Sequence, residues 1–212
     1  MSRQSLRKLV ANLAVLIALS GGLFYLSTPR AVWGTVLFWQ SPPKSITHTP
    51  QENQPLRVEK VKVAGKLALP KAGSAIQENI DAGDDWMRGL SLTLKNTSEK
   101  NIVYALIYLH FPEAERGGGA MSFPLAFGRS PKDSNDRDYK AMLQPGEETE
   151  ITLTDAQHES LQSFLRGRSA GSIGKVELLL VSVITDDDTL WLQGIEMRRD
   201  PNDPKHWLTI KQ

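Results

Sequence analysis

Leu90, Leu92 and Leu94 alternate with Ser91, Thr93 and Lys95, a period of two that turns leucines to one side of an extended chain and polar groups to the other. That period recurs downstream and restricts the chain to a sheet-built fold. Asn96 to Lys100 reads as a turn, and Ile102 to Phe111 is apolar on both parities, as a central strand must be. Val176 to Ile184 has the same character. Asp186, Asp187 and Asp188 then make a hairpin turn into Thr189 to Met197, where Leu190 and Leu192 alternate with Trp191 and Gln193. Gln144-Pro145-Gly146 turns the chain into Glu148 to Leu153, a half-exposed strand with Thr149, Ile151 and Leu153 on one side. Val58, Val61 and Val63 mark an earlier strand within Leu56 to Leu69. One short helix is expected from Asp155 to Arg166: Thr154 caps it with Gln157, Leu161, Phe164 and Leu165 share a face, and Gly167 ends it.

Such strands need a core, and 40% hydrophobic residues in a 212-residue chain supply one. Lysine and arginine number 25 against 24 acidic residues, so no global field draws nucleic acid to the surface. The absence of cysteine removes disulfides, thiolate metal sites and a lipoprotein anchor.

Arg3, Arg7 and Lys8 precede an apolar run from Leu9 to Leu26, interrupted by Asn12, Ser20, Gly21 and Gly22 and stopped by Pro29 and Arg30. A helix needs roughly 20 apolar residues to cross the hydrocarbon core, which favours an uncleaved transmembrane signal-anchor over residues 1–30 that meets the membrane through residues 9–26. The alternative is a signal peptide cleaved after Ser20, which would leave a secreted domain. The excess of basic residues before the run predicts a cytoplasmic N-terminus and an extracytoplasmic remainder, periplasmic or at the cell surface. Residues 31–55 are expected to be membrane-proximal: an apolar patch with Trp33 and Trp39, then a semi-extended tether rich in proline, threonine, glutamine and serine. The domain is expected over 56–197, with a tail at 198–212.

The stretches LTLKNTSEKNIVYALIYLHF, LQPGEETEITLT and KVELLLVSVITDDDTLWLQG resemble the small immunoglobulin-like sandwich modules tethered to bacterial membranes, including FxLYD-type domains. The resemblance spans roughly Leu90 to Gly194. It implies a mainly β, immunoglobulin-like β-sandwich and a binding or scaffolding role.

Gly167-Arg168-Ser169-Ala170-Gly171 matches the letters of a nucleophile elbow, with Asp186 to Asp188 and His206 following in hydrolase order. An elbow needs strand, turn and then helix, whereas here a helix precedes the serine and a strand follows it. Asp133, Asn135, Asp136 and Asp138 have a calcium-loop flavour, but Arg137 occupies a ligand position and the spacing reads as a solvated acidic turn. His48, His110, His158 and His206 are scattered, with no two at ligand spacing. Asn96-Thr97-Ser98 is a formal glycosylation sequon, read here as a turn. After Gly117 to Gly119, the segment Phe123-Pro124-Leu125-Ala126-Phe127 is the candidate partner-binding surface, although its period of two also suits a strand packing inward. Trp207 is the other candidate: it either plugs the sandwich as the tail folds back or is presented to a partner.

These observations favour a non-catalytic binding or scaffolding module on the outer side of a bacterial membrane, with an envelope protein as partner and no nucleic acid, metal or cofactor. A serine hydrolase using Ser169 is one alternative. A structural subunit of an envelope assembly is the other.

Overall fold

The computed structural model describes residues 44–64, 66–69, 78–80, 85–114, 121–132, 136, 138–167 and 173–210, with backbone alone at 66–69 and 78–80. The anchor expected over residues 1–30 and the aromatic patch at 31–39 lie outside them. Among the described residues, no helix is long and apolar enough to cross a membrane.

In chain order the strands are β1 (Lys44–His48), β2 (Leu56–Val63), β3 (Lys66–Leu69), β4 (Glu78–Ile80), β5 (Ser91–Asn96), β6 (Ile102–His110), β7 (Ser122–Gly128), β8 (Glu148–Thr152), β9 (Lys175–Thr185), β10 (Thr189–Leu192), β11 (Ile195–Arg199) and β12 (Trp207–Thr209). Helix α1 (Asp155–Gly167) follows β8. A smaller sheet runs β3-β2-β5-β8, antiparallel throughout. The larger sheet is organised on β9. One edge of β9 pairs antiparallel with β6, which in turn pairs with β7. Its other edge is shared: Lys175 to Leu178 pair in parallel with β1, and Ser182 to Ile184 pair antiparallel with β10, which leads to β11 and β12. β4 borders β1.

The inward residues of both sheets form one core. Leu56, Val58, Val61 and Val63 of β2, with Leu92 and Leu94 of β5, meet Ala105, Ile107 and Leu109 of β6 and Val176, Leu178 and Leu180 of β9. Leu161 and Leu165 bring α1 into the same core, and Phe164 meets Phe123 of β7 with ring centroids 6.4 Å apart. The capping expected from sequence is present: Gln157 N–H donates to Thr154 Oγ1 at 3.3 Å, and Thr154 N–H donates to Gln157 Oε1 at 2.9 Å. The outer face of the smaller sheet is polar, with Lys62 Nζ 3.1 Å from Glu150 and Lys95 Nζ 3.8 Å from Glu148.

The two flanking strands finish their edges differently. Phe111 N–H donates to Met121 O, which sets the phase of the β6–β7 ladder so that Phe123, Leu125 and Phe127 bond to β6 and Pro124 faces the open edge. Proline has no N–H to offer there, and another chain gains no donor from that position. On β8, Leu153 N–H donates to Leu90 O, so Glu148, Glu150 and Thr152 turn their backbone groups outward.

Two expected boundaries move. Residues 41–55 are not a tether throughout, because β1 is paired on both edges and Ile46 and His48 are 1% and 3% exposed. The folded part therefore includes Lys44 onward rather than starting near Leu56. At the other end, residues 198–210 are part of the sheet rather than a tail after the domain: Arg199 belongs to β11, and β12 pairs with β11 through Met197↔Thr209 and Arg199↔Trp207. Val103, Ile184 and Leu190 make a second, small cluster against which Tyr104, Tyr139, Met197 and Trp207 pack.

Candidate binding cleft at the end of the two sheets

The β9–β10 hairpin extends the larger sheet past the turn that joins β5 to β6, and a cleft of about 630 Å³ opens between them. That size lies within the range of small-ligand and peptide side-chain sites. Val183, Thr185, Thr189 and Trp191 of β9 and β10 line one side, with Gly194 and Glu196 beside them. The loop before β2 (Asn53, Gln54, Pro55) and the β5–β6 turn (Thr97 to Lys100) form the opposite side.

Asn96 holds that turn in shape. Its side chain is fully buried; Nδ2 donates to Lys100 O and Leu143 O at 2.8 and 2.9 Å, and Oδ1 accepts from the N–H and hydroxyl of Ser98. A buried amide with every bond made is a structural element, and in the folded chain the sequon nitrogen is inaccessible to a glycosylating enzyme. Thr97 Oγ1 donates to Gln54 O at 3.1 Å, tying the turn to the loop before β2.

Lys100 links the two sides of the cleft. Its Nζ lies 3.0 Å from Asp187, 3.1 Å from Thr189 Oγ1 and 3.8 Å from Glu196. Burial alone would push the Asp187 carboxyl up, but the Thr185 hydroxyl at 2.6 Å, Lys100 and Thr189 outweigh it and hold the group down at about 2. Glu99 is exposed, with no ion-pair partner among the described residues. Trp191 is 6% exposed, and its indole N–H has no hydrogen-bond partner.

The residues singled out from sequence lie elsewhere. Leu125 and Phe127 are buried, at 2% and 9% exposure, and Phe123 packs on the core beside α1, so these three side chains belong to the interior and do not form an exposed loop surface. Trp207 folds back on the larger sheet with Arg199 Cζ 4.4 Å from its ring centroid. Of the two arrangements expected for it, the structure has the folded-back one. Ser169, Asp133, Asn135 and Gly117 to Gly119 lie outside the described residues. Around Ser169, α1 ends at Gly167 and β9 begins at Lys175, the reverse of the order an elbow requires.

The other polar candidates have structural partners. Asp136 accepts from Arg129 at 2.6 Å and from the Lys132 N–H at 3.0 Å. In the β9–β10 turn Asp186 accepts from Asn101, Asp187 from Thr185 and Asp188 from Arg199. His158 lies 3.7 Å from Asp85, and His206 is 2.6 Å from Asp203.

Sequence reasoning identified both turns around the cleft without joining them. Neither the NTSEK turn nor the DDD turn carries a signal of the other, since Lys100 and Asp187 meet only through the pairing of β6 with β9. Comparisons with protein-family models, with curated proteins and with solved structures gave no match to this chain.

Proposed function

We propose that this chain is a non-catalytic binding or scaffolding module with an immunoglobulin-like sandwich fold, held on the outer side of a bacterial membrane by residues 9–26. The observation that carries the proposal is the cleft at the turn-bearing end of the sheets, walled by Trp191 and spanned by Lys100. Recognition surfaces commonly form at loops on a rigid sheet scaffold, and two sheets sharing one core supply such a scaffold here. The FxLYD-type resemblance belongs to the same proposal, because its strand, polar turn, strand, PGE turn and acidic hairpin correspond to β5, β6, β8, β9 and β10. The anchor rests on the length of the apolar run and the basic residues before it.

The test combines topology with contact. Full-length protein is produced with a photo-crosslinking residue in place of Glu99 at the cleft or Thr93 on the outer face of the smaller sheet. Protease digestion of spheroplasts should degrade the domain, while alkaline extraction should leave residues 9–26 in the membrane. One defined cross-linked protein from position 99 and none from position 93 is the expected result; a protected domain, or equal labelling from both positions, would sink the proposal.

The open edge of β8 favours a second reading, a structural subunit whose β8 pairs with a strand of another chain. A cross-linker at Thr152 that captured a partner missed from position 99 would select that reading.

A further inference from the structure

We propose that the Asp203–Pro204 peptide bond is a self-cleavage site: the Asp203 carboxylate attacks the main-chain carbonyl of its own residue, and His206 supplies the proton that the departing proline nitrogen takes up. The event is a single turnover on the chain itself and does not depend on the cleft or on the module reading.

The turn between β11 and β12 brings the parts together. His206 Nδ1 donates to Asp203 Oδ2 at 2.6 Å, and the Lys205 N–H donates to Oδ1 at 3.2 Å, so both carboxylate oxygens are fixed within the turn. The His206 N–H donates to the Asp203 main-chain oxygen at 2.9 Å. A donor in that place polarises the carbonyl and stabilises the negative charge that an attack puts on its oxygen. The bond from the imidazole also holds the Asp203 carboxyl below its ordinary pKa, which keeps the nucleophile ionised. His206 therefore serves the bond twice, through its backbone and through its ring.

In the reaction a carboxylate oxygen bonds to the Asp203 carbonyl carbon, and the bond from that carbon to the Pro204 nitrogen breaks. The nitrogen takes the proton of the His206 imidazolium. A cyclic anhydride of Asp203 is left, and water opens it to two carboxyl groups. Nucleophile and carbonyl belong to one residue, so no encounter has to be paid for in entropy. A proline nitrogen carries alkyl substituents and no hydrogen, which makes it a more basic leaving group than other backbone amides. Both side chains of the pair are exposed, so water reaches the anhydride.

Asp200–Pro201 is the same kind of bond without the same partners. Asp200 accepts from the Asn202 N–H at 2.8 Å, and among the described residues no imidazole meets its carboxylate. The consequence of a cut at Asp203 follows from the contacts of the released segment. Pro204 O accepts from Arg199 at 2.7 Å and Trp207 lies against that guanidinium, so β12 would be held on β11 by noncovalent contacts alone. Its departure would open the edge of β11 to a strand of another protein.

The test holds the full chain in detergent micelles at about pH 5.5, where an ordinary imidazole is protonated, and follows intact mass with time. We expect a chain ending at Asp203 and a peptide Pro204–Gln212, formed about a hundredfold faster than the cut at Asp200–Pro201, as a positioned general acid provides. In denaturing urea the two bonds should cleave at equal rates. Hydroxylamine should trap the anhydride as a hydroxamate on Asp203. His206→Gln, which keeps a side-chain donor but has no proton to give, should remove the hundredfold advantage and leave Asp200–Pro201 unchanged. No cut, or equal rates at both bonds in the folded chain, would overturn the site. A preference that persists in urea would assign it to local sequence and overturn the role of the turn. Undiminished cleavage in His206→Gln would overturn the role of the imidazole, and a product without hydroxamate would overturn the anhydride. None of these outcomes bears on the cross-linking result from position 99.

Discussion

Arg199 and Asp188 are joined across the C-terminal end of the larger sheet: Nε of a 5% exposed arginine donates at 3.1 Å to a carboxylate in the β9–β10 turn. The same guanidinium donates to Pro204 O at 2.7 Å and lies over Trp207, so one side chain ties the last strand to the hairpin. Removing one partner of a buried ion pair leaves the other charge uncompensated. Arg199→Met should therefore cost about 3–5 kcal/mol of unfolding free energy in urea titration. Trp207→Leu, which keeps the charge pair, should cost clearly less. Equal losses would mean that the ring, and not the ion pair, holds the terminus.

Gly128 has φ of +69°, and a Cβ there would run into the backbone carbonyl oxygen of Val103. Backbone cannot yield as a flexible side-chain tip can. Gly128→Ala should destabilise the domain by at least about 2 kcal/mol, combining the left-handed penalty with the clash. Gly146→Ala, with nothing within 4 Å of its Cβ, carries only the conformational part. A thermal melt of both variants checks the ordering.

Asn96→Asp keeps the volume of the side chain but turns an acceptor toward the carbonyls of Lys100 and Leu143, where Nδ2 now donates. The expected loss is about 1–3 kcal/mol, the cost of leaving buried polar groups unmatched. Because the turn it shapes presents Glu99 and Lys100, binding at the cleft should weaken in the same variant. Calorimetric unfolding reads the first effect and the cross-linking yield from position 99 the second.

His48 should make the domain sensitive to mild acid. Nδ1 donates to Leu178 O at 3.0 Å, which leaves Nε2 buried without a partner. Burial lowers the pKa below 6.5 and outweighs the opposing pull of the Leu178 carbonyl. The unfolded chain therefore binds the proton more readily than the folded one. Stability is at its full value above pH 6.5 and falls as the pH drops from there toward the folded pKa. His48→Gln should flatten urea midpoints measured between pH 7 and pH 5; an unchanged slope would assign the acid sensitivity to other groups.

Much of the fold was legible because its signals are local. Leu90, Leu92 and Leu94 are all fully buried, as their alternation requires, and α1 begins at the Thr154–Gln157 cap. Strands whose reason lies far away were not legible. β1 has the single aliphatic residue Ile46 amid lysine, serine, threonine and histidine, and only its pairing with β4 and β9, both distant in sequence, makes it a strand. β12 is equally short, and the prolines before it mimic a disordered tail. The cleft was hidden for a related reason: its walls come from separate stretches of chain, each ordinary alone. Phe123, Leu125 and Phe127 allowed two readings, an exposed loop after the glycines or a strand packing inward, and their period of two was the signal that matched the structure.

The bond from His48 to Leu178 closes a span of 130 residues. A chain emerging from the ribosome has β1 and its neighbour β4 early and β9 only near the end of synthesis, so one edge of the first strand must wait, unpaired, while most of the domain is made. Non-local pairings of this kind slow folding and leave strand edges exposed in the interim. Truncation just before Lys175 would remove β9 and every strand after it and deprive β1 and β6 of their common neighbour at once, so the larger sheet should form late and all together.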